Sequence, residues 1–265
     1  MRSIIYSMRS AIACAVMLGP AVARAQGPWE QVSPGIRYRT FRSQPGAGGF
    51  AMSAVQVDPS VARLGLVAVV SMLQERRGAY AYSLSEVAAA TRAVAAINGG
   101  MSSSFSVPLP VGLLKVDGQT ALRLNTRDAA LTGVLCLQER RVRIVRREAF
   151  RPTECTQALQ AGPVLVESPG GAVRVGEVAM ARTPVRRSAV AVDAHGTVFL
   201  VATEPTRLDA LAEFLARDVA HGGLGAVTAL NLSGSTDSGL LVRRRAGTAS
   251  VGTPRSTIAS AIVVR

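Results

Sequence analysis

Aromatic residues are scarce: Phe, Tyr and Trp make up 4% of 265 residues, with one tryptophan, Trp29. That scarcity argues against a base-stacking surface for nucleic acid and requires a core built from Ala, Val and Leu. Lysine is nearly absent, because Lys115 is the one lysine among 30 basic residues. Histidine is limited to His195 and His221, both in turn-forming surroundings, so they read as exposed turn residues and a Ser-His-Asp triad lacks support. No Gly-x-Ser-x-Gly elbow, His-Glu-x-x-His motif, phosphate loop or dinucleotide fingerprint occurs. No apolar run reaches the roughly 18 to 20 residues that cross a bilayer, so no transmembrane segment is expected in the mature chain. The sequence implies no metal and no cofactor.

What is present argues for a folded chain, since 48% of residues are hydrophobic and 18% are charged. The formal charge is +13. Arginine clusters at Arg140, Arg141, Arg143, Arg146, Arg147 and at Arg243 to Arg245 suit phosphate, sulfate or acidic glycans. The alternative is a solvated basic face, favoured because no nucleic-acid motif accompanies the charge.

The amino terminus reads as a secretory signal peptide, residues 1–25. Arg2 and Arg9 precede an apolar stretch from Ala11 to Val22, and Ala23-Arg24-Ala25 has the small-x-small spacing of a cleavage site before Gln26. A lipoprotein reading through Cys14 is weaker, because Ala11 stands where a larger aliphatic residue is usual. Cleavage removes three arginines and no acids, taking the formal charge from +13 to +10. Cys136 and Cys155 are then the cysteines left, and in an oxidising compartment they are expected to form a disulfide. The expected location is periplasmic or secreted.

Residues 26–265 read as a single α+β domain, a mixed β-sheet with at least two helices inserted between strands. Strands are predicted over Ala51 to Val57, Leu64 to Val70, Val111 to Val116, Ala129 to Leu137, Val142 to Val145 and Gly162 to Glu167. Ser188 to Asp193 and Thr197 to Ala202 flank Ala194-His195-Gly196, a hairpin signal, and later runs cover Ala226 to Leu232 and Ile258 to Val264. Ser83-Leu84-Ser85-Glu86 is a capping box for a first helix. Thr206 is the expected cap of a second, whose Leu208, Leu211, Ala212, Leu215 and Val219 form one apolar stripe.

Polar turns end several apolar strands: Asn98-Gly99-Gly100, Arg186-Arg187-Ser188 and Asn231-Leu232-Ser233-Gly234. Strand ends present functional groups to a cleft. Glycine allows close backbone approach, Asn both donates and accepts, and Arg grips a phosphodiester with paired bonds. Each turn alone is weak evidence.

Four segments together resemble the phosphodiester glycosidase family. They are Ala95 to Gly100 followed by Pro110-Val111-Gly112-Leu113; Gln160-Ala161-Gly162-Pro163; Arg187-Ser188-Ala189-Val190; and Ala229-Leu230-Asn231-Leu232 before a Gly/Ser-rich turn. The resemblance covers roughly Phe50 to the carboxyl terminus. It implies a secreted domain that cleaves a sugar 1-phosphodiester or related glycosidic bond, here in envelope or extracellular polysaccharide. It also implies that Asn98, Gly99, Gly100, Arg187, Asn231 and Gly234 line the site, with Arg187 on the phosphate.

Two departures from the family pattern stand out. The family reads Asn-Leu-Asp-Gly-Gly, whereas this chain reads Asn231-Leu232-Ser233-Gly234-Ser235-Thr236-Asp237-Ser238, so Ser233 replaces the motif's acid. Ala191 stands where Gly is common. General acid/base work on a glycosidic bond normally needs carboxyl groups placed across it. Asp237 and Glu204 are the candidates, with Asp117 and Asp193 behind them; Glu204 reads equally as a surface acid before the second helix. Either Asp237 substitutes for the missing acid, or the protein is a non-catalytic carbohydrate-binding or envelope-assembly protein. The expected partner is a carbohydrate or sugar phosphate, not nucleic acid.

Overall fold

A computed structural model describes residues 27–42, 49–69, 71–72, 82–103, 108–167, 171–175, 178, 180–252 and 257–265. The expected signal peptide, with Cys14, lies outside the described residues.

The largest sheet has eight strands in the order Glu30–Ser33, Ile36–Arg42, Ala51–Val57, Val198–Thr203, Arg187–Asp193, Ala226–Gly234, Val164–Glu167 and Gly171–Ala172. A five-stranded sheet follows the order Arg141–Arg146, Gly133–Gln138, Gln157–Ala161, Leu114–Val116 and Gln119–Leu122. A second five-stranded sheet follows Gly247–Gly252, Gly239–Arg244, Ala95–Asn98, Ser260–Val264 and Leu64–Ala68. Thr257–Ile258 pairs with Tyr82–Ser83. Neighbouring strands within these sheets pair antiparallel. The two expected helices are present, but strands predominate, so α+β describes the architecture only loosely.

The central strands are buried on both faces, which is why they read as continuous apolar runs and not as alternating ones. Val190, Val192, Val198 and Leu200 face a core where the three sheets meet, together with Ile97, Leu135, Leu159 and Ile262. Ala189, Ala191, Phe199 and Val201 face the other way, onto Leu208, Leu211, Ala212 and Leu215 of the helix Leu208–Ala216. The alanines let that helix sit close.

The helix Leu84–Ala90 starts as its capping box requires: Glu86 N donates to Ser83 Oγ at 3.3 Å and Ser83 N donates to Glu86 Oε2 at 2.8 Å. Thr206 does not cap the second helix. Its backbone instead exchanges bonds with Val185, N to O at 2.9 and 3.2 Å, and Arg207 takes the cap position without a side-chain cap bond. The apolar run expected from Ile258 to Val264 is divided at Ala259, and the hairpin Gly239–Arg244 and Gly247–Gly252 is additional to the expected strands. Gly247–Gly252 carries no apolar alternation because it is a largely exposed outer strand.

Cys136 and Cys155 form a disulfide, with Cα atoms 5.3 Å apart, buried among Leu113, Val134, Phe150 and Ala158. It joins the strand Gly133–Gln138 to the segment entering its neighbour Gln157–Ala161.

Candidate functional site

The Asn98-Gly99-Gly100 turn leaves the end of Ala95–Asn98 through tightly occupied space. A Cβ on Gly99 would lie 2.1 Å from Ser260 Oγ, and one on Gly100 would lie 2.8 Å from the Gln160 carbonyl. Both glycines are therefore demanded by close backbone approach. Asn98, 2% exposed, spends its amide on the backbone: Nδ2 donates to Gly99 O at 2.9 Å, and Gly239 N donates to Oδ1 at 3.0 Å. That last bond ties the turn to the strand that follows Asp237.

Gln160 fixes the next wall. Its Oε1 accepts from Leu113 N at 3.0 Å and Asn125 N at 2.8 Å, while Nε2 donates to Asn125 O at 2.7 Å and Leu131 O at 3.0 Å. One buried carboxamide thus holds three loop segments. Beyond it, Gly162-Pro163 is a cis peptide, and Asn231 Nδ2 donates to Gly162 O at 2.8 Å. Asn231 Oδ1 is buried without a hydrogen-bond partner among the described residues.

Arg187 opens the strand Arg187–Asp193 opposite Gly234 of Ala226–Gly234. Its Nη2 donates to Met180 O at 2.6 Å and Thr183 O at 3.1 Å, and its Nε is buried without a partner among the described residues. Gly234 leaves room for the guanidinium, since a Cβ there would lie 3.1 Å from Nη1. Burial pushes the Arg187 pKa below its usual value, and among the described residues no carboxylate pairs with it. A buried cation balanced by carbonyl dipoles alone has capacity for an anion.

Asp237 closes the short 3-10 turn Ser235–Asp237. Ser102 Oγ donates to Asp237 Oδ2 at 3.0 Å, which brings the Asn98 turn and the turn after Gly234 together. Ser235 holds a left-handed φ of 63° at the position where the family motif has its second glycine. Ser233, 3% exposed, lies opposite Ser188, whose Oγ donates to Ser233 O at 3.4 Å.

The other acids sit differently. Glu204 is exposed and lies 3.9 Å from Arg186 Nε, an ion pair beyond hydrogen-bond length, beside Arg187 in sequence. Asp193 stands at the opposite end of its strand from Arg187, and its Oδ1 accepts from His195 N and Thr197 N in the hairpin turn. Asp117 accepts from Gln157 Nε2 at 2.8 Å in another turn. These turn roles occupy Asp193 and Asp117 away from the Asp237 turn. His195 and His221 are exposed. Among the described residues no group of three or more His, Cys, Asp or Glu gathers, and no helix is long and apolar enough to cross a membrane. Ser102 and Gln160 were the contributions missed as individual residues. Ser102 lies two residues past a polar turn already singled out, and Gln160 belongs to a matching segment.

The sequence model of the family described as phosphodiester glycosidase matches residues 91–265. No curated protein sequence matches the chain. Among solved structures, the catalytic domain of zebrafish N-acetylglucosamine-1-phosphodiester alpha-N-acetylglucosaminidase, auto-inhibited by its pro-peptide, is similar. Its TM-score is 0.65 at 12% identity, over 91% of this chain and 87% of that one. A hypothetical protein from Synechocystis has a TM-score of 0.59 at 17% identity, over 88% of this chain, which spans 62% of that protein's length. At these identities the likeness establishes the fold alone.

Proposed function

Because this chain belongs to the phosphodiester glycosidase family, we propose that it hydrolyses the bond between a sugar C1 and the oxygen of a phosphodiester. The observation that carries the reading is Arg187, a buried guanidinium with no carboxylate partner among the described residues, in the strand end facing Gly234. A substrate phosphate would supply the missing negative charge. Water attacks C1, the C1–O bond breaks with its electron pair going to the phosphate oxygen, and the water's proton passes to the Asp237 carboxylate. A phosphate leaving group is a weak base, so it departs without much proton donation and one carboxylate can serve. The Ser102 hydroxyl, donating to Asp237 Oδ2, orients that carboxylate in the turn. Glu204, exposed beside Arg186, is the second candidate acid.

Turnover of a nitrophenyl sugar 1-phosphodiester tests this. The parent protein should be active, and Asp237→Asn should lower kcat by roughly 10² to 10⁴, the usual contribution of a positioned acid or base. The Ser233 departure favours a second reading, a protein that binds glycan without cutting it. An inactive parent that gains nothing from Ser233→Asp with Ser235→Gly would sink the hydrolytic reading and leave this one.

We further read residues 1–25 as a cleaved signal peptide, residues 26–265 as one domain, and the substrate as envelope or extracellular polysaccharide. Intact mass of protein from the envelope fraction should begin at Gln26; retention of Met1 would overturn the export reading.

A further inference from the structure

The arginine cluster in and beside the strand Arg141–Arg146 divides in the fold. Arg143, Arg146 and Arg147 pair with Glu154, Glu167 and Glu148. Arg140 and Arg141 pair with no carboxylate among the described residues. They line a cleft of about 580 Å³ whose other wall, Pro59, Ala62, Arg63 and Leu64, brings in Arg63, also without a carboxylate partner among the described residues. One acid, Glu139, lines it too, so the lining holds three arginines to one acid. Ala62, Leu64 and Leu137 supply the apolar floor. The cleft is within the size range of small-ligand sites. It shares no lining residue with the candidate site, and it opens at the far end of the strand Gly133–Gln138, about 17 Å along from Gly133 at the usual strand rise.

We propose that this cleft is a second binding site, for a segment of an acidic polysaccharide carrying carboxylate, sulfate or phosphate groups. Three arginines spread over two walls suit anionic groups repeated along a chain, because each planar fork takes two oxygens of one group. No aromatic residue lines the cleft, so it offers bases nothing to stack on, which separates a glycan from single-stranded nucleic acid. The apolar floor would receive the ring faces between charged groups. The proposal stands apart from the hydrolytic reading, since it requires binding and not turnover.

Titration of the full mature chain with a heparin oligosaccharide, an oligogalacturonate, inorganic phosphate and a single-stranded DNA of matched charge tests it. The triple variant Arg63→Ala, Arg140→Ala, Arg141→Ala should weaken binding of at least one of the two glycans by about tenfold or more. A control removing equal charge from exposed positions outside the cleft, Arg174→Ala, Arg217→Ala, Arg245→Ala, should change it less than about threefold at 0.15 M salt, because these arginines, unlike the equally exposed Arg63, Arg140 and Arg141, line no common cleft. Inorganic phosphate should compete weakly. Equal losses in the two triples would reduce the cleft to general surface charge, and failure of both glycans to bind the parent would remove it. DNA binding as tight as either glycan, lost equally in the cleft variant, would overturn the assignment to polysaccharide. Thermal melts confirm that both variants remain folded.

Discussion

Arg187 carries two burdens at once, holding the 180–183 loop through Met180 O and Thr183 O and offering its remaining charge to an anion. Its replacement by Ala should weaken substrate binding by about 1.5–3 kcal/mol, the worth of a hydrogen bond to a charged group. Arg187→Lys keeps the charge but loses the fork, and should recover part of that affinity; calorimetry with a sugar 1-phosphate separates the two. Ser235 makes a different point. An L-residue in the left-handed region costs about 1–2 kcal/mol, and glycine's greater freedom in the unfolded chain returns roughly 0.5–1. Ser235→Gly should therefore stabilise the protein by up to about 1 kcal/mol in urea unfolding, whatever it does to activity. Gly162 behaves in the opposite sense. A Cβ there would sit 1.9 Å from the Ala130 carbonyl, so Gly162→Ala should destabilise by roughly 1–3 kcal/mol and disturb the Asn231 bond.

At the level of elements, the crosslink between Cys136 and Cys155 should matter most for the arginine-bearing hairpin. Serine at both positions should cost about 3 kcal/mol in the chain-entropy picture, read as a lower urea midpoint. The elements themselves were unevenly legible. Runs buried on both faces, such as Arg187–Asp193 and Val198–Thr203, announce themselves by continuous apolarity, and the Ser83 capping box fixes its helix start. Gly247–Gly252 and Gln119–Leu122 are exposed pieces held by pairing with neighbours, and pairing leaves no local pattern. The turns of the candidate site were visible as Gly and Asn at strand ends. The bonds that join them, Ser102 to Asp237 and Gly239 N to Asn98, span 135 and 141 residues and have no sequence period to betray them.

For the whole molecule, charge sets the pH range of stability. The Arg146 side chain holds the Glu167 carboxyl below its usual range, and the Arg207 side chain does the same for Asp209. Each folded pKa is depressed, so the unfolded chain binds more protons in that interval and stability falls as pH drops. Both contributions are present above the unfolded carboxylate range, about 4, and are lost as pH falls through the folded values. Urea midpoints should therefore decline from about pH 5 downward. Glu167→Gln should flatten that decline, while a slope unchanged by it would assign the acid sensitivity to other groups.

The Cys136–Cys155 link also bears on how the protein is handled at the bench. Material overproduced in a reducing cytosol, or carried through purification with dithiothreitol, would lack the tie between the segment entering Gln157–Ala161 and the strand Gly133–Gln138, whose turn into Arg141–Arg146 lines the basic cleft. Batches made by different routes would then be chemically different molecules with the same sequence. Thiol titration before any glycan measurement should find none free in a chain that begins at Gln26 and keeps the link, and one more, Cys14, in a chain that retains residues 1–25.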